Sequence, residues 1–131
     1  MVENNGTAAK FGRILLWVVT LAFGVAMAVA GATKFTAAEW WIEMFAGWGY
    51  PPALSYLVGG LEFVAGVAFL VPRLATYAGA LIAAIMLAAV VTLLAHPGDM
   101  GPLVPVVNTV VFAAVAWMRR GKRWRPGASS R

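Results

Sequence analysis

The stretch that decides the fold is LVGGLEFVAG, residues 57–66, in which a single carboxylate, Glu62, interrupts an otherwise apolar run. The run is one of several apolar stretches in a chain of 131 residues that is 62% hydrophobic and 11% charged. The mean hydropathy of the chain is +0.82, which is well above that of a soluble domain of this size. The sequence therefore predicts an all-α integral membrane protein that keeps one acid inside an apolar helix.

The composition excludes several kinds of site. The chain has no cysteine, one histidine and five acidic residues, so disulfides and thiolate chemistry are excluded and we expect no metal site. Its formal net charge of +5 comes from cations grouped at the ends of apolar segments rather than along a soluble face. This grouping favours anionic lipid head groups as the partner of the basic residues, and we expect no nucleic acid.

Four apolar stretches are candidates to cross a membrane, because about 20 residues span a ~30 Å hydrocarbon core. They are residues 13–34, 53–71, 74–95 and 102–118. The pattern predicts a four-helix transmembrane bundle over residues 13–118. We expect a disordered segment over residues 1–12 and a basic tail over residues 119–131.

The distribution of charge between the loops predicts the orientation of the spans. Most cations flank the ends of the spans that share one side: Lys10, Arg13, Arg73, Arg119, Arg120, Lys122, Arg123 and Arg125. The positive-inside rule therefore places both termini in the cytoplasm of an inner-membrane protein, with Arg73 as a cytoplasmic anchor. A cleaved signal peptide is the alternative for the first span, but the apolar run over residues 14–32 is longer than is usual for one.

The segment between the first two spans, TAAEWWIEMFAGWGYPP, residues 36–52, predicts a structure of its own. Thr36 and Glu39 have the spacing of a capping box, which indicates a short helix that begins there and ends near Gly47. About ten residues cannot cross a bilayer, so this helix is expected to lie on the outer surface as an aromatic anchor. The alternative is a lid over a ligand site, formed by Trp40, Trp41, Trp48 and Tyr50.

Helical spacing predicts which way Glu62 points. Ser55, Gly59 and Gly66 share its face, so the carboxylate lies on a stripe of small residues that lets another helix approach closely. A charged, unpaired carboxylate near the middle of a bilayer costs several kcal/mol, and Glu62 is expected to be sheltered, paired or protonated. A similar stripe in the first span ends in Lys34. The nominal depths of the two residues differ by roughly 13 Å, which leaves a contact between them open.

Polar residues in the outer halves of the spans are candidates to line one cavity that opens outward. The candidates for ligand binding or proton relay are Lys34, Glu62, Thr92, His96 and Asn108. A structural role is the alternative for each of these side chains. Glu62 and Asn108 could join helices by hydrogen bonds, and His96 could be an interface residue.

Four short motifs carry a resemblance to a known family. They are Gly-Ala-Thr-Lys-Phe at 31–35, Trp-Gly-Tyr-Pro at 48–51, Gly-Leu-Glu at 60–62 and Pro-Arg at 72–73. In order and spacing the chain resembles the DoxX-like family of membrane proteins over about residues 11–120. The resemblance implies a four-helix membrane fold and marks Lys34 and Glu62 as family-typical positions. Members often carry an adjacent threonine-histidine pair near the end of the third span, whereas Thr92 and His96 are separated here by Leu-Leu-Ala.

The resemblance also implies a function. The family includes the membrane subunit of a thiosulfate:quinone oxidoreductase and proteins linked to oxidative stress. Together with the buried acid, this predicts an accessory subunit of a membrane redox system with a quinone-sized pocket and a redox partner protein, in which Glu62 bonds or protonates the quinone head group. The sequence identifies no intrinsic cofactor and no catalytic residue. The alternatives are a non-catalytic assembly subunit and a proton or small-solute transporter, for which a homo-oligomer would supply further surface.

Overall fold

The structure is a computed structural model. It describes residues 2–98, 100–123 and 125, and the side chains from residue 6 onward. The described residues form helices joined by short loops and contain no strand. This confirms the predicted all-α class. The five helices are α1 (Val2–Thr36), α2 (Ala38–Gly47), α3 (Pro52–Phe69), α4 (Ala75–Ala95) and α5 (Leu103–Met118), and a 3₁₀ turn (Arg120–Lys122) follows them.

Three helices are long and apolar enough to cross a membrane, namely α1 from Gly6 onward, α3 and α4. The fourth predicted span corresponds to α5, which has 16 residues. At 1.5 Å per residue this helix is about 24 Å long, which is shorter than a ~30 Å hydrocarbon core. Length and composition therefore establish three helices able to span, and the fourth span stays a prediction.

The N-terminal segment differs from the expectation of disorder over residues 1–12, because α1 begins at Val2. The segment contains no proline, and Ala8, Ala9 and Lys10 are good helix formers, so the helix of the apolar span can continue through it. Of the predicted basic tail over residues 119–131, Trp124 and residues 126–131 lie outside the described residues.

Helices α1 and α3 pack antiparallel through glycines. A Cβ atom added to Gly31 would lie 2.5 Å from the backbone nitrogen of Phe63 and 2.6 Å from the carbonyl oxygen of Gly59. One added to Gly66 would lie 2.6 Å from the backbone nitrogen of Ala28. Real Cβ atoms do not come this close, so the small-residue stripe predicted around Glu62 is the surface on which the two backbones meet.

Helices α4 and α5 form a second antiparallel pair. The hydroxyl of Thr76 donates to the carbonyl of Ala116 over 2.9 Å near one end of the pair. The core lies at the same end, where α3 turns into α4, and Phe69, Ile82 and Phe112 are fully buried there. The rings of Phe69 and Phe112 lie 4.6 Å apart. The large, fully buried side chains of the core therefore lie at the end of the bundle away from α2.

The outer surface of the bundle is strongly apolar. Many large hydrophobic side chains are exposed on the outside of the helices, among them Val64, Leu94 and Val110, each more than 60% exposed. A surface of this kind is unfavourable in water and is typical of helices that face lipid acyl chains. The exposed side chains and the three long apolar helices support the same conclusion, that the protein resides in a membrane.

Helix α2 begins differently from the prediction. Thr36 still belongs to α1, the N-cap of α2 is Ala37, and no side chain caps the helix. The predicted capping box between Thr36 and Glu39 is therefore wrong, because the threonine remains inside the preceding helix. The end of α2 agrees with the sequence: the helix stops at Gly47, and Gly49 takes a φ of +86°, a conformation that glycine adopts at little cost.

Candidate functional site

A partly open cavity of about 640 Å³ lies between the helices in the half of the bundle nearest α2. All five helices contribute to its wall, which is mainly apolar and aromatic. The volume falls within the range of about 300–1,000 Å³ that is usual for small-molecule pockets. The fold thus combines a solid core at one end with a hollow at the other.

A buried ion pair lies on the wall of the cavity. The ammonium nitrogen of Lys34 on α1 donates to Oε2 of Glu62 on α3 over 2.9 Å. The two residues are 4% and 3% exposed. Burying two charges costs several kcal/mol per ion before their attraction is counted, so this contact places an expensive polar group in an otherwise apolar wall.

The contact forms because α1 and α3 are staggered along their length. Lys34 lies near the end of α1 at Thr36, whereas Glu62 lies ten residues after the start of α3 at Pro52. The start of α3 therefore extends about 12 Å beyond the end of α1, and α2 connects the two levels. The sequence predicted that Lys34 and Glu62 lie at different depths. The axial offset between α1 and α3 brings the two residues to the same level.

Trp41 on α2 holds the lysine from the other side. Its ring lies 3.9 Å from the ammonium nitrogen of Lys34, which is a cation–π contact. Its indole N–H donates to the hydroxyl of Thr33 over 3.2 Å. The aromatic helix is thus fastened to the last turn of α1 at two neighbouring side chains, and one of them is the cationic member of the ion pair.

The other aromatic residues proposed as a lid divide into two groups. Trp48 and Tyr50 line the cavity together with Trp41, whereas Trp40 does not and is 50% exposed. Phe45, which is buried, packs between them with ring centroids 5.4 Å from Trp48 and 6.1 Å from Tyr50. One side of the cavity is therefore a continuous aromatic wall.

Thr92 and Asn108 line the cavity opposite α1. The hydroxyls of Tyr50 and Thr92 lie 2.8 Å apart, and Thr92 also donates to the carbonyl of Ala88 over 2.9 Å. The Asn108 amide lies 3.8 Å from the sulfur of Met86, which is a weak contact. Both residues therefore lie on the wall of the cavity that also carries the ion pair.

Two sequence candidates lie elsewhere. His96 is exposed and does not line the cavity, because α4 ends at Ala95 and the imidazole turns back to the carbonyl of Thr92 at 3.0 Å. The expectation that His96 shares the cavity is wrong. Arg73 is exposed in the turn between α3 and α4, which suits an anchor, although its location in the cytoplasm stays a prediction.

A second buried cation lies at the opposite end of the bundle and was not singled out by the sequence. Arg119 is 4% exposed; it donates to the hydroxyl of Thr20 over 3.2 Å and stacks 4.6 Å from the ring of Trp17. Burial lowers the pKa of its guanidinium, which nevertheless stays protonated. The residue belongs to the basic group that the sequence assigns to anionic lipid head groups, and only the shared helical face of Trp17 and Thr20 indicates a binding surface for one member of that group.

The arrangement can bind a lipophilic molecule and hydrogen-bond its polar part. The apolar and aromatic walls suit a ring or hydrocarbon body, and the polar atoms come from Tyr50, Glu62, Lys34, Thr92 and Asn108. Within the described residues, no group of three or more His, Cys, Asp or Glu side chains could hold a metal ion. The side chains on the cavity wall can supply hydrogen bonds, stabilise charge and transfer a proton.

Comparison with known proteins agrees with the motifs noted in the sequence. A family model with the description DoxX-like family matches residues 18–119. The match begins inside α1 and ends at the buried arginine, so it covers every residue that lines the cavity. No curated protein and no solved structure gives a significant match to the chain.

Proposed function

The chain belongs to the DoxX-like family, and from that premise we propose that it is an accessory subunit of a membrane redox or oxidative-stress system. In this proposal the cavity binds a lipophilic molecule of quinone size. The observation that carries the proposal is the Lys34–Glu62 ion pair on the wall of an apolar cavity of about 640 Å³. An ion pair in such a place is costly, and ionisable groups inside membrane proteins usually mark a ligand or proton site.

The proposed arrangement in the membrane is a four-span bundle with both termini in the cytoplasm of the inner membrane. The short α5 crosses with the help of the residues on either side of it. Basic residues at the start of α1, in the turn after α3 and after α5 would contact anionic lipids of the inner leaflet. Helix α2 would lie at the outer interface, where its tryptophans suit the head-group region.

Within the cavity, Glu62 would bond the polar head of the ligand and exchange a proton with it. Lys34 would hold the carboxylate in place, and Trp41 would hold Lys34 through the contact at 3.9 Å. The chain has no cysteine and only one histidine, so the electrons of a quinone reaction would come from a partner protein. The protein would position the quinone for that partner.

The test compares two variants that add the same bulk to α4. Ala89 lines the cavity, whereas Ala84 on the same helix is exposed and does not. Ala89→Trp is therefore expected to fill the cavity, and Ala84→Trp is the matched control. Native mass spectrometry of protein extracted gently from its own membrane would identify retained quinones and retained subunits together.

The proposal expects a quinone on the wild-type protein and on Ala84→Trp, and its loss from Ala89→Trp. A wild-type protein without any quinone, or equal retention by both variants, would overturn the ligand part of the proposal. Co-purification of a redox enzyme with all three proteins would support the accessory role.

One observation favours a second candidate, a non-catalytic assembly subunit. The ion pair joins α1 to α3 beside the tightest backbone contact, at Gly31 and Gly59, so it also serves as a link between helices. On this alternative the cavity would be empty in the native membrane and the protein would co-purify only with a partner subunit. The same mass spectra separate the two candidates.

A further inference from the structure

The cavity presents hydrogen-bond acceptors that nothing in the described protein uses. Lys34 bonds Oε2 of Glu62, and no described residue donates to the second oxygen, Oε1. The fully buried polar atoms that lack a partner are, in the described chain, Ser55 Oγ and Arg119 Nε. Oε1 is not one of them, so it keeps accessible surface, and Glu62 lines the cavity. A carboxylate accepts hydrogen bonds and donates none, so the ion pair presents an acceptor to a ligand.

Tyr50 offers a second oxygen to the cavity. The hydroxyls of Tyr50 and Thr92 lie 2.8 Å apart, and either of them can be the donor. When Thr92 gives its one proton to the carbonyl of Ala88 over 2.9 Å, the tyrosine is the donor to Thr92. The phenol proton is then occupied, and the free lone pairs of the Tyr50 oxygen are left to accept a bond from the cavity.

The strongest donor on the wall is already engaged on two sides. The ammonium of Lys34 donates to Glu62 over 2.9 Å, and the ring of Trp41 covers it at 3.9 Å. The neighbouring aromatic wall, formed by Trp41, Phe45, Trp48 and Tyr50, offers faces and edges on which a flat ring packs well. A ligand that suits these groups is aromatic and brings its own hydrogen-bond donor.

We propose that the cavity binds hydroxyl-bearing aromatic molecules in preference to their carbonyl or ether counterparts. This inference rests on the proposed function, and it makes the reduced, hydroquinone form of a quinone the preferred ligand. A quinone carbonyl would place its lone pairs against those of Glu62 and Tyr50, whereas a hydroquinone hydroxyl donates to either. A ligand without a hydroxyl proton leaves the acceptor oxygen of Glu62 or Tyr50 without a hydrogen-bond donor. An unpaired buried polar group is the usual source of strong discrimination between analogues.

The experiment measures the binding of two ligand pairs to the purified full-length protein in detergent by isothermal titration calorimetry under anaerobic conditions. Durohydroquinone and duroquinone differ in redox state, and thymol and its methyl ether differ in the hydroxyl proton without redox chemistry. The wild-type protein should bind each hydroxyl compound at least about tenfold more tightly than its counterpart, as expected of one hydrogen bond to a charged or buried acceptor.

The variant Tyr50→Phe removes one acceptor and leaves the bond from Thr92 to Ala88 intact, so the fold is expected to survive. It should weaken binding of the hydroxyl compounds by about three- to tenfold and so reduce their preference over duroquinone and thymol methyl ether. The matched control is Tyr56→Phe, because Tyr56 packs against Phe35 with its ring centroid 5.6 Å away and does not line the cavity. This control should bind all four compounds as the wild type does.

The outcomes separate the inference from the function on which it rests. Equal or tighter binding of duroquinone and thymol methyl ether would overturn the inference and leave the quinone-sized pocket standing. Preference for thymol with no binding of either quinone compound would support the donor preference and overturn the proposed quinone function. If none of the four compounds binds, both are overturned.

Discussion

The contact between α1 and α3 makes Gly31→Ala the sharpest test of the packing. The added methyl group would lie 2.5 Å from a backbone nitrogen of α3 and 2.6 Å from a carbonyl oxygen. Backbone atoms cannot move aside as side chains do, so the two helices would have to separate by about 1 Å to restore a normal contact. Overpacking of this kind costs typically about 1–3 kcal/mol. Alanine recovers about 1 kcal/mol of helix propensity, and a net loss of up to about 2 kcal/mol is expected.

The measurement is the free energy of unfolding in mixed micelles, followed by circular dichroism as sodium dodecyl sulfate is added. Gly60→Ala is the matched control, because its added methyl group would meet only the ring of Phe35 at an ordinary 3.9 Å. The control should be neutral or more stable by up to about 1 kcal/mol. Equal stability of Gly31→Ala and Gly60→Ala would refute the close approach of α1 and α3 at this point.

Further predictions concern the buried polar contacts, each checked by the same unfolding measurement. Lys34→Met should cost about 3–5 kcal/mol, because it leaves the carboxylate of Glu62 buried without a partner. Adding Glu62→Met should restore most of that loss, and a double variant as unstable as the sum of the single ones would contradict the pairing. Trp41→Phe should cost about 1 kcal/mol through the lost indole hydrogen bond and a weaker cation–π contact. Thr20→Val should cost about 1–3 kcal/mol by removing the acceptor of Arg119, and an unchanged stability would argue against that contact.

The helices were predictable because their signals are local. The helix bounds follow signals that act within a few residues. These signals are the apolar runs of helical length, the prolines at the start of α3 and the glycines at the end of α2. The start of α2 was not predictable from Thr36, because only the packing of α1 determines whether that residue ends one helix or caps the next. Disorder over residues 1–12 was inferred from polarity, which a continuing helix tolerates.

The candidate site was predictable in its membership more than in its contacts. The sequence placed Lys34, Glu62, Thr92 and Asn108 in the outer halves of the spans as candidates to line one cavity, and all four line it. Their distances depend on how far one helix is displaced along another, which no single helix encodes. The stagger of α1 and α3 brings Lys34 to Glu62. The end of α4 before His96 takes that side chain out of the cavity.

The burial of Arg119 could not be inferred from the sequence for a related reason. The residue opens a run of cations that the sequence assigns to anionic lipid head groups. Its side chain instead folds back between α1 and α5, where it reaches Thr20. The contact joins residues 99 positions apart in the chain, and local patterns carry no information about pairs at that separation.

The proposal that a quinone binds between the helices is tested most directly by photoaffinity labelling in the native membrane. The membrane is treated with an azido-quinone, and the crosslinked protein is then analysed by peptide mapping. We expect the label on the cavity wall, on α2 or on α4 near Thr92, and we expect excess unlabelled quinone to abolish the labelling. Labelling confined to exposed, lipid-facing residues such as Val110 on α5, or labelling that unlabelled quinone does not reduce, would contradict a ligand site between the helices.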